Sequence, residues 1–211
     1  MEYLISTVTG YLLGSFPTAY LLIKKTKGID ITKNGSGNVG AYNSFRVTKS
    51  KFIGFIVFMI DFAKGAGSAL LMIFLFSNNF TYSALAVFFA VLSHCFNPWL
   101  GFKGGRGLAT AAGGAAVVFP YLLIVWCILW VIFYLMRKNI LFSNIGATIL
   151  SLLIVYNTVN IGLKYTYPNT DNVSSVIFVS TSVLVIIFIK HTDPLKEWIN
   201  KQKTKRVIKY D

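Results

Sequence analysis

Apolar runs of about 20 residues recur along this chain, and that is the length an α-helix needs to cross the hydrocarbon core of a bilayer. No water is available there to satisfy a backbone N–H or C=O, so each run must close its hydrogen bonds within itself. Of the 211 residues 55% are hydrophobic and only 13% charged, where a soluble domain carries roughly a quarter charged residues. The expected fold is an all-α polytopic membrane protein forming a single domain over residues 1–211, with a basic cytoplasmic tail from about residue 190. The net charge of +13 falls in loops and tail, so it describes topology and not nucleic-acid binding. Cys95 and Cys127 sit in apolar surroundings without zinc or redox spacing; they read as packing residues, and no disulfide follows from them. The first run starts at once without a cleavage-site pattern, so it reads as a retained helix.

Taken in order, the first span covers about Tyr3 to Ile23 and holds Pro17, which should kink it. The loop from Lys24 to Lys51 has seven Lys/Arg against Asp30, which places it on the cytoplasmic side and the N-terminus outside. The second span, about Phe52 to Phe76, contains Asp61 and Lys64 three residues apart, close enough on a helix to pair. This pair reads equally as a structural ion pair or as support for a polar site. A polar turn (Ser77 to Asn79) leads to the third span, about Phe80 to Phe96, with His94 at its end as a hydrogen-bonded structural residue. The stretch from Leu108 to Met136 is divided by Pro120 into a short glycine- and alanine-rich helix and a full span ending at Arg137 and Lys138. The sixth span is about Leu141 to Ile161, followed by Tyr165 and Tyr167 as an interfacial belt. The seventh, about Val173 to Ile189, leads to a tail with seven Lys/Arg and three acids, suited to anionic headgroups. The expectation is about seven transmembrane helices, N-terminus outside and C-terminus cytoplasmic. Pro194 suits the first turn of a separate short amphipathic helix, Leu195 to Gln202, capped by Thr192 or Asp193.

Two polar stretches interrupt this apolar background. The first, Gly35 to Arg46, reads G-S-G-N-V-G-A-Y-N-S-F-R. Its glycines allow turns and close approach of a ligand to the main chain, and Arg46 ends it with a planar fork suited to phosphate or carboxylate. The second, Lys103 to Thr110, reads K-G-G-R-G-L-A-T and flanks a glycine pair with cations. Each alone could be a flexible basic turn. Two on one face of a membrane protein point to a shared anion site of backbone N–H groups, guanidinium and ammonium. No nucleophile elbow, metal-type histidine pair or complete P-loop occurs, nor a His-x-x-x-x-Asp general base. The remaining chemistry is to bind anions and position them for transfer, or, in a non-catalytic reading, to transport or bind lipid around broken helices.

The ordered set S-F-P-T-A-Y (Ser15 to Tyr20), S-G-N-V-G-A-Y-N-S-F-R, D-F-A-K-G and F-K-G-G-R-G-L-A-T resembles the bacterial acyl-phosphate-dependent glycerol-3-phosphate acyltransferase family. The resemblance implies an enzyme that makes lysophosphatidate from acyl phosphate and glycerol 3-phosphate, with no metal and no other cofactor, and with the substrate's own phosphate as base. It makes Ser36 and Arg46 the phosphate-binding pair, and Arg106 and His191 further catalytic residues. Gly37, Asn38, Gly40 and Asn43 form the glycine-asparagine loop, while Lys103, Gly104 and Gly105 hold the acyl phosphate. Ser143 is the nearest match to a serine pattern on the sixth span, read here as L-F-S-N. Three positions depart from the family: Arg106 stands for lysine, Tyr42 for threonine, and Pro194 for the asparagine of the His191 motif. The partners implied are the two substrates and membrane lipids; oligomeric state is not set by the sequence.

Overall fold

The computed structural model describes residues 1–76 and 79–207, and all regular structure among them is helical. The helices are α1 (Glu2–Ser15), α2 (Thr18–Lys27), α3 (Ala41–Thr48), α4 (Lys51–Leu75), α5 (Phe80–Cys95), α6 (Leu108–Val118), α7 (Pro120–Arg137), α8 (Ile140–Asn157), α9 (Val159–Gly162) and α10 (Val173–Val207). Five segments are long and apolar enough to cross a membrane alone: Lys51–Leu75, Phe80–Leu100, Pro120–Arg137, Ile140–Asn157 and Val173–Asn200. Five of the seven expected spans fall on these segments; the other two fall on shorter helices, the first on α1 (14 residues) and α2 (10 residues) and the fourth on α6 (11 residues). The first two residues of the turn expected at Ser77 to Asn79, and the tail residues 208–211, lie outside the described residues.

The first span is two helices rather than one kinked helix. Phe16 is extended (φ −60°, ψ 116°), as a residue before proline tends to be, and Pro17 is the N-cap from which α2 starts. The break leaves carbonyls that distant side chains satisfy. Asn97 Nδ2 donates to the Ser15 carbonyl at 2.6 Å, and Lys64 Nζ donates to the Phe16 carbonyl at 2.6 Å. Trp99 Nε1 adds a bond to Ser15 Oγ at 3.1 Å. Lys64 also pairs with Asp61 at 2.7 Å, as their spacing on α4 predicts. One buried ion pair thus joins α4 to the broken end of α1.

Small residues let the helices approach closely. A Cβ added at Gly10 or Gly14 would strike the Ala86 or Ala90 carbonyl, so α1 lies tight against α5. Gly65 and Gly113 do the same for α4 against α6, at the Thr110 and Phe62 carbonyls. Pro120 ends α6 and starts α7, where its missing N–H costs nothing. At that end Tyr121 stacks on Tyr165 with centroids 6.2 Å apart, and Tyr167 N–H donates to the Val118 carbonyl at 3.0 Å.

The core gathers α5, α6, α7 and α10 around Val87, Val91, Val118, Leu122, Val183 and Ile187. A smaller cluster (Ala19, Ile23, Ile31, Val39, Val57) sits beneath the 28–50 loop.

The separate helix expected after Pro194 does not form. α10 runs through Pro194 without a break. Proline removes only one backbone bond, to the Lys190 carbonyl one turn back. Thr192 Oγ1 donates to the neighbouring Ile189 carbonyl at 2.7 Å.

Candidate active site

The glycine loop takes its shape from Asn43. This side chain is buried and uses its whole amide: Oδ1 accepts from Ser36 N–H at 3.0 Å, while Nδ2 donates to the Asn34 and Asn38 carbonyls at 3.1 and 3.0 Å. Gly35 and Gly37 adopt φ +65° and +69°, a region closed to most side chains. Asn43 is therefore the organiser of the loop and not a group left free for substrate. Gly40 is extended and precedes α3 with no side-chain cap on the helix. Ser36 is exposed on this loop, and Arg46 is exposed on the last turn of α3.

The second loop is clamped onto the end of α5. Gly105 N–H donates to the His94 carbonyl at 3.0 Å, and a Cβ at Gly105 would enter the His94 imidazole. A Cβ at Gly104 would meet the His94 and Cys95 carbonyls. The two loops touch through Val39 N–H and the Gly104 carbonyl at 3.5 Å. Gly107 then leads into α6, again without a side-chain cap. Two helices thus bring open N-termini, with unpaired N–H groups and the positive end of the dipole, to one place. Arg106 is half-buried between them, and Lys103 is exposed. Burial lowers the Arg106 pKa against the opposing pull of Glu197, but a guanidinium stays charged.

Both open N-termini line a single cavity of about 520 Å³. Its polar end is formed by Asn38, Gly40, Asp61, His94, Arg106 and Asn144. Its apolar wall runs past Val87, Ala115 and Val183 to Phe80 and Phe119. Phe80 and His94 stand at opposite ends of α5. With a helical rise of about 1.5 Å per residue, the wall between them is roughly 20 Å long.

Folding also brings together a histidine and an aspartate that sequence spacing does not show. His94 Nδ1 lies 3.8 Å from Asp61 Oδ1 across α5 and α4, too far for a hydrogen bond. Both line the cavity.

Of the residues expected at the site, Asn38, Gly40 and Arg106 line the cavity, and Gly104 and Gly105 shape the loop beside it. Ser143 does not line it: its hydroxyl is buried and donates to the Asn139 carbonyl at 2.8 Å. The next residue, Asn144, occupies the wall instead. His191 is only 1% exposed, behind that wall, with ring nitrogens 3.2 Å from Asn144 Nδ2 and 2.7 Å from the Ile187 carbonyl. Sequence reasoning passed over Asn144. The available signal was a buried amide in an apolar span, which must find polar partners.

A mouth of helix N-termini and a guanidinium on a long apolar channel, in a bundle of membrane-length helices, is a shape suited to a charged head joined to an aliphatic chain. The chain belongs to the glycerol-3-phosphate acyltransferase family, whose sequence profile matches residues 4–201. The glycerol-3-phosphate acyltransferase of Pelagibacter ubique is 33% identical over 208 residues, spanning 99% of this chain and 100% of that one. The one from Aquifex aeolicus is 33% identical over 82% of this chain and 95% of its own. The fold is similar to the crystal structure of an integral membrane glycerol 3-phosphate acyltransferase in its glycerol 3-phosphate form. That match has a TM-score of 0.76 and 30% identity, and covers 98% of this chain and 94% of that one.

Proposed function

We propose that the protein transfers an acyl group from an acyl phosphate to a hydroxyl of glycerol 3-phosphate, giving lysophosphatidate and phosphate at the cytoplasmic face of the membrane. The observation that carries this reading is the cavity itself, which joins two open helix N-termini and Arg106 to an apolar channel of acyl length. Both substrates end in phosphate, and the mouth offers N–H groups and a guanidinium to more than one anion. The apolar wall takes the acyl chain, whose burial is worth about 0.8 kcal/mol per methylene.

The step needs little covalent help from the protein. The hydroxyl oxygen of glycerol 3-phosphate attacks the acyl carbonyl carbon, the bond from that carbon to the phosphate oxygen breaks, and the hydroxyl proton leaves on the phosphate. The protein's contribution is to hold the two anions side by side against their repulsion and to aim the hydroxyl. Ser36, Arg46 and the loop held by Asn43 receive glycerol 3-phosphate; Arg106, the Gly104–Gly105 turn and the α6 N-terminus receive the acyl phosphate.

Purified protein in proteoliposomes, given acyl phosphate and labelled glycerol 3-phosphate, is expected to form lysophosphatidate. Acyl thioester in place of acyl phosphate is expected to give none. Equal use of the thioester would refute the donor assignment, and no product from either would refute the reaction.

A further inference from the structure

Trp130 of α7, Asn144 of α8 and His191 of α10 form a hydrogen-bonded chain whose polarity has one solution. Trp130 Nε1 lies 2.7 Å from Asn144 Oδ1, Asn144 Nδ2 lies 3.2 Å from His191 Nε2, and His191 Nδ1 lies 2.7 Å from the Ile187 carbonyl. An indole N–H can only donate and a backbone carbonyl can only accept. The carbonyl requires the proton of His191 on Nδ1, which leaves Nε2 as an acceptor. The indole requires Oδ1 of Asn144 on its side, which turns Nδ2 toward Nε2. Flipping the amide would set N–H against N–H at Trp130, so both ends of the chain fix the same orientation.

This use of the amide is incomplete. An asparagine NH2 has two donors, and only one is given to His191. Asn144 is the member of the trio that lines the cavity; Trp130 and His191 do not. Arg106 also lines this cavity.

We propose that Asn144 is a substrate-contacting residue that presents its second amide N–H to an anionic oxygen at the polar end of the cavity, and that Trp130 and His191 are positioning residues that hold the amide that way round. The acceptor is a phosphate oxygen of either substrate or the acyl carbonyl oxygen as it gains charge. This rests on the acyltransfer reading above. It also gives His191 a role without proton transfer, because its one acceptor nitrogen is occupied by Asn144.

The test separates positioning from acid–base work. Glutamine at position 191 can accept the Asn144 bond through Oε1 but cannot act as an imidazole. His191→Gln is expected to keep most of the activity that His191→Ala loses. Asn144→Ala is expected to lower kcat/KM about 10- to 100-fold, the effect of one hydrogen bond to a charged acceptor. Trp130→Phe should cost several-fold in the wild-type background and nothing further in Asn144→Ala, since it acts only through that amide. The inference is overturned if His191→Gln is as impaired as His191→Ala with both folded, if Asn144→Ala is fully active, or if Trp130→Phe costs the same in both backgrounds. The shift in unfolding temperature caused by glycerol 3-phosphate and by inorganic phosphate provides a readout independent of turnover. It should shrink in Asn144→Ala, and an unchanged shift for both ligands counts against the contact. Wild-type protein that forms no product refutes the reaction but leaves this binding arm to decide on Asn144.

Discussion

Lys64→Met should be the most damaging single change outside the cavity mouth. Lys64 and Asp61 are 7% and 2% exposed, and the ammonium holds both the Asp61 carboxylate and the Phe16 carbonyl. Methionine fills a similar volume, so packing is largely kept and the electrostatic loss is isolated. Leaving one partner of a buried pair without the other costs about 3–5 kcal/mol. The abandoned carbonyl at the α1 break adds about 1–3 kcal/mol. At about 2–4 °C per kcal/mol for a chain of this size, the pair term alone lowers the unfolding temperature by about 6–20 °C. Removing the charge on both sides, as Asp61→Leu with Lys64→Met, should recover the larger part, because only the Phe16 carbonyl then lacks its partner. Cys95 supplies the assay. It is fully buried, so in a Cys127→Ser background a thiol-reactive fluorophore reports unfolding as it gains access. A Lys64→Met protein that unfolds within about 2 °C of the parent, less than about 1 kcal/mol on that scale, would refute the account of the α1 break. A double variant no better than the single would refute the ion-pair term.

Further tests follow from the site and from the expected topology. Gly105→Ala places a methyl group in the His94 imidazole, so it should displace the second loop and abolish lysophosphatidate formation while α10 remains folded, measured by activity and helix content together. Arg46→Ala should raise the KM for glycerol 3-phosphate about tenfold or more through loss of a charged hydrogen bond, whereas Arg106→Lys, which keeps the charge on the cavity wall, should retain activity in the same assay. Cysteines placed at Thr32 and Asn169 should react from opposite sides of the membrane, Thr32 from the cytoplasm; labelling of Asn169 from the cytoplasm alone would reverse the orientation.

What could be read from the sequence followed from local rules. The α6–α7 boundary was legible because proline ends one helix and starts the next. The Asp61–Lys64 pair was legible because three residues on a helix bring side chains together. Residues that depend on distant parts of the chain were not. Lys64 has its second partner 48 residues away, at Phe16, and no pattern announces that. His94 reads as a lone histidine until α4 brings Asp61 beside it. Ser143 and Asn144 are both small polar residues in one apolar span, and periodicity does not choose which faces the cavity. Pro194 misled because the general preference of proline for a first turn gives way where the helix on either side is otherwise complete.

On the proposed reaction, the cavity that is polar at one end and apolar for the length of α5 would draw its two substrates from different phases. Glycerol 3-phosphate arrives from water, where its availability is a molar concentration. The proposed acyl donor would arrive from the bilayer, where availability is a fraction of the lipid present. Adding inert lipid to the same vesicles would therefore slow the enzyme without any inhibitor, while diluting the aqueous volume at constant donor fraction would act only through glycerol 3-phosphate. Membrane composition and aqueous supply would then be separate controls on one rate.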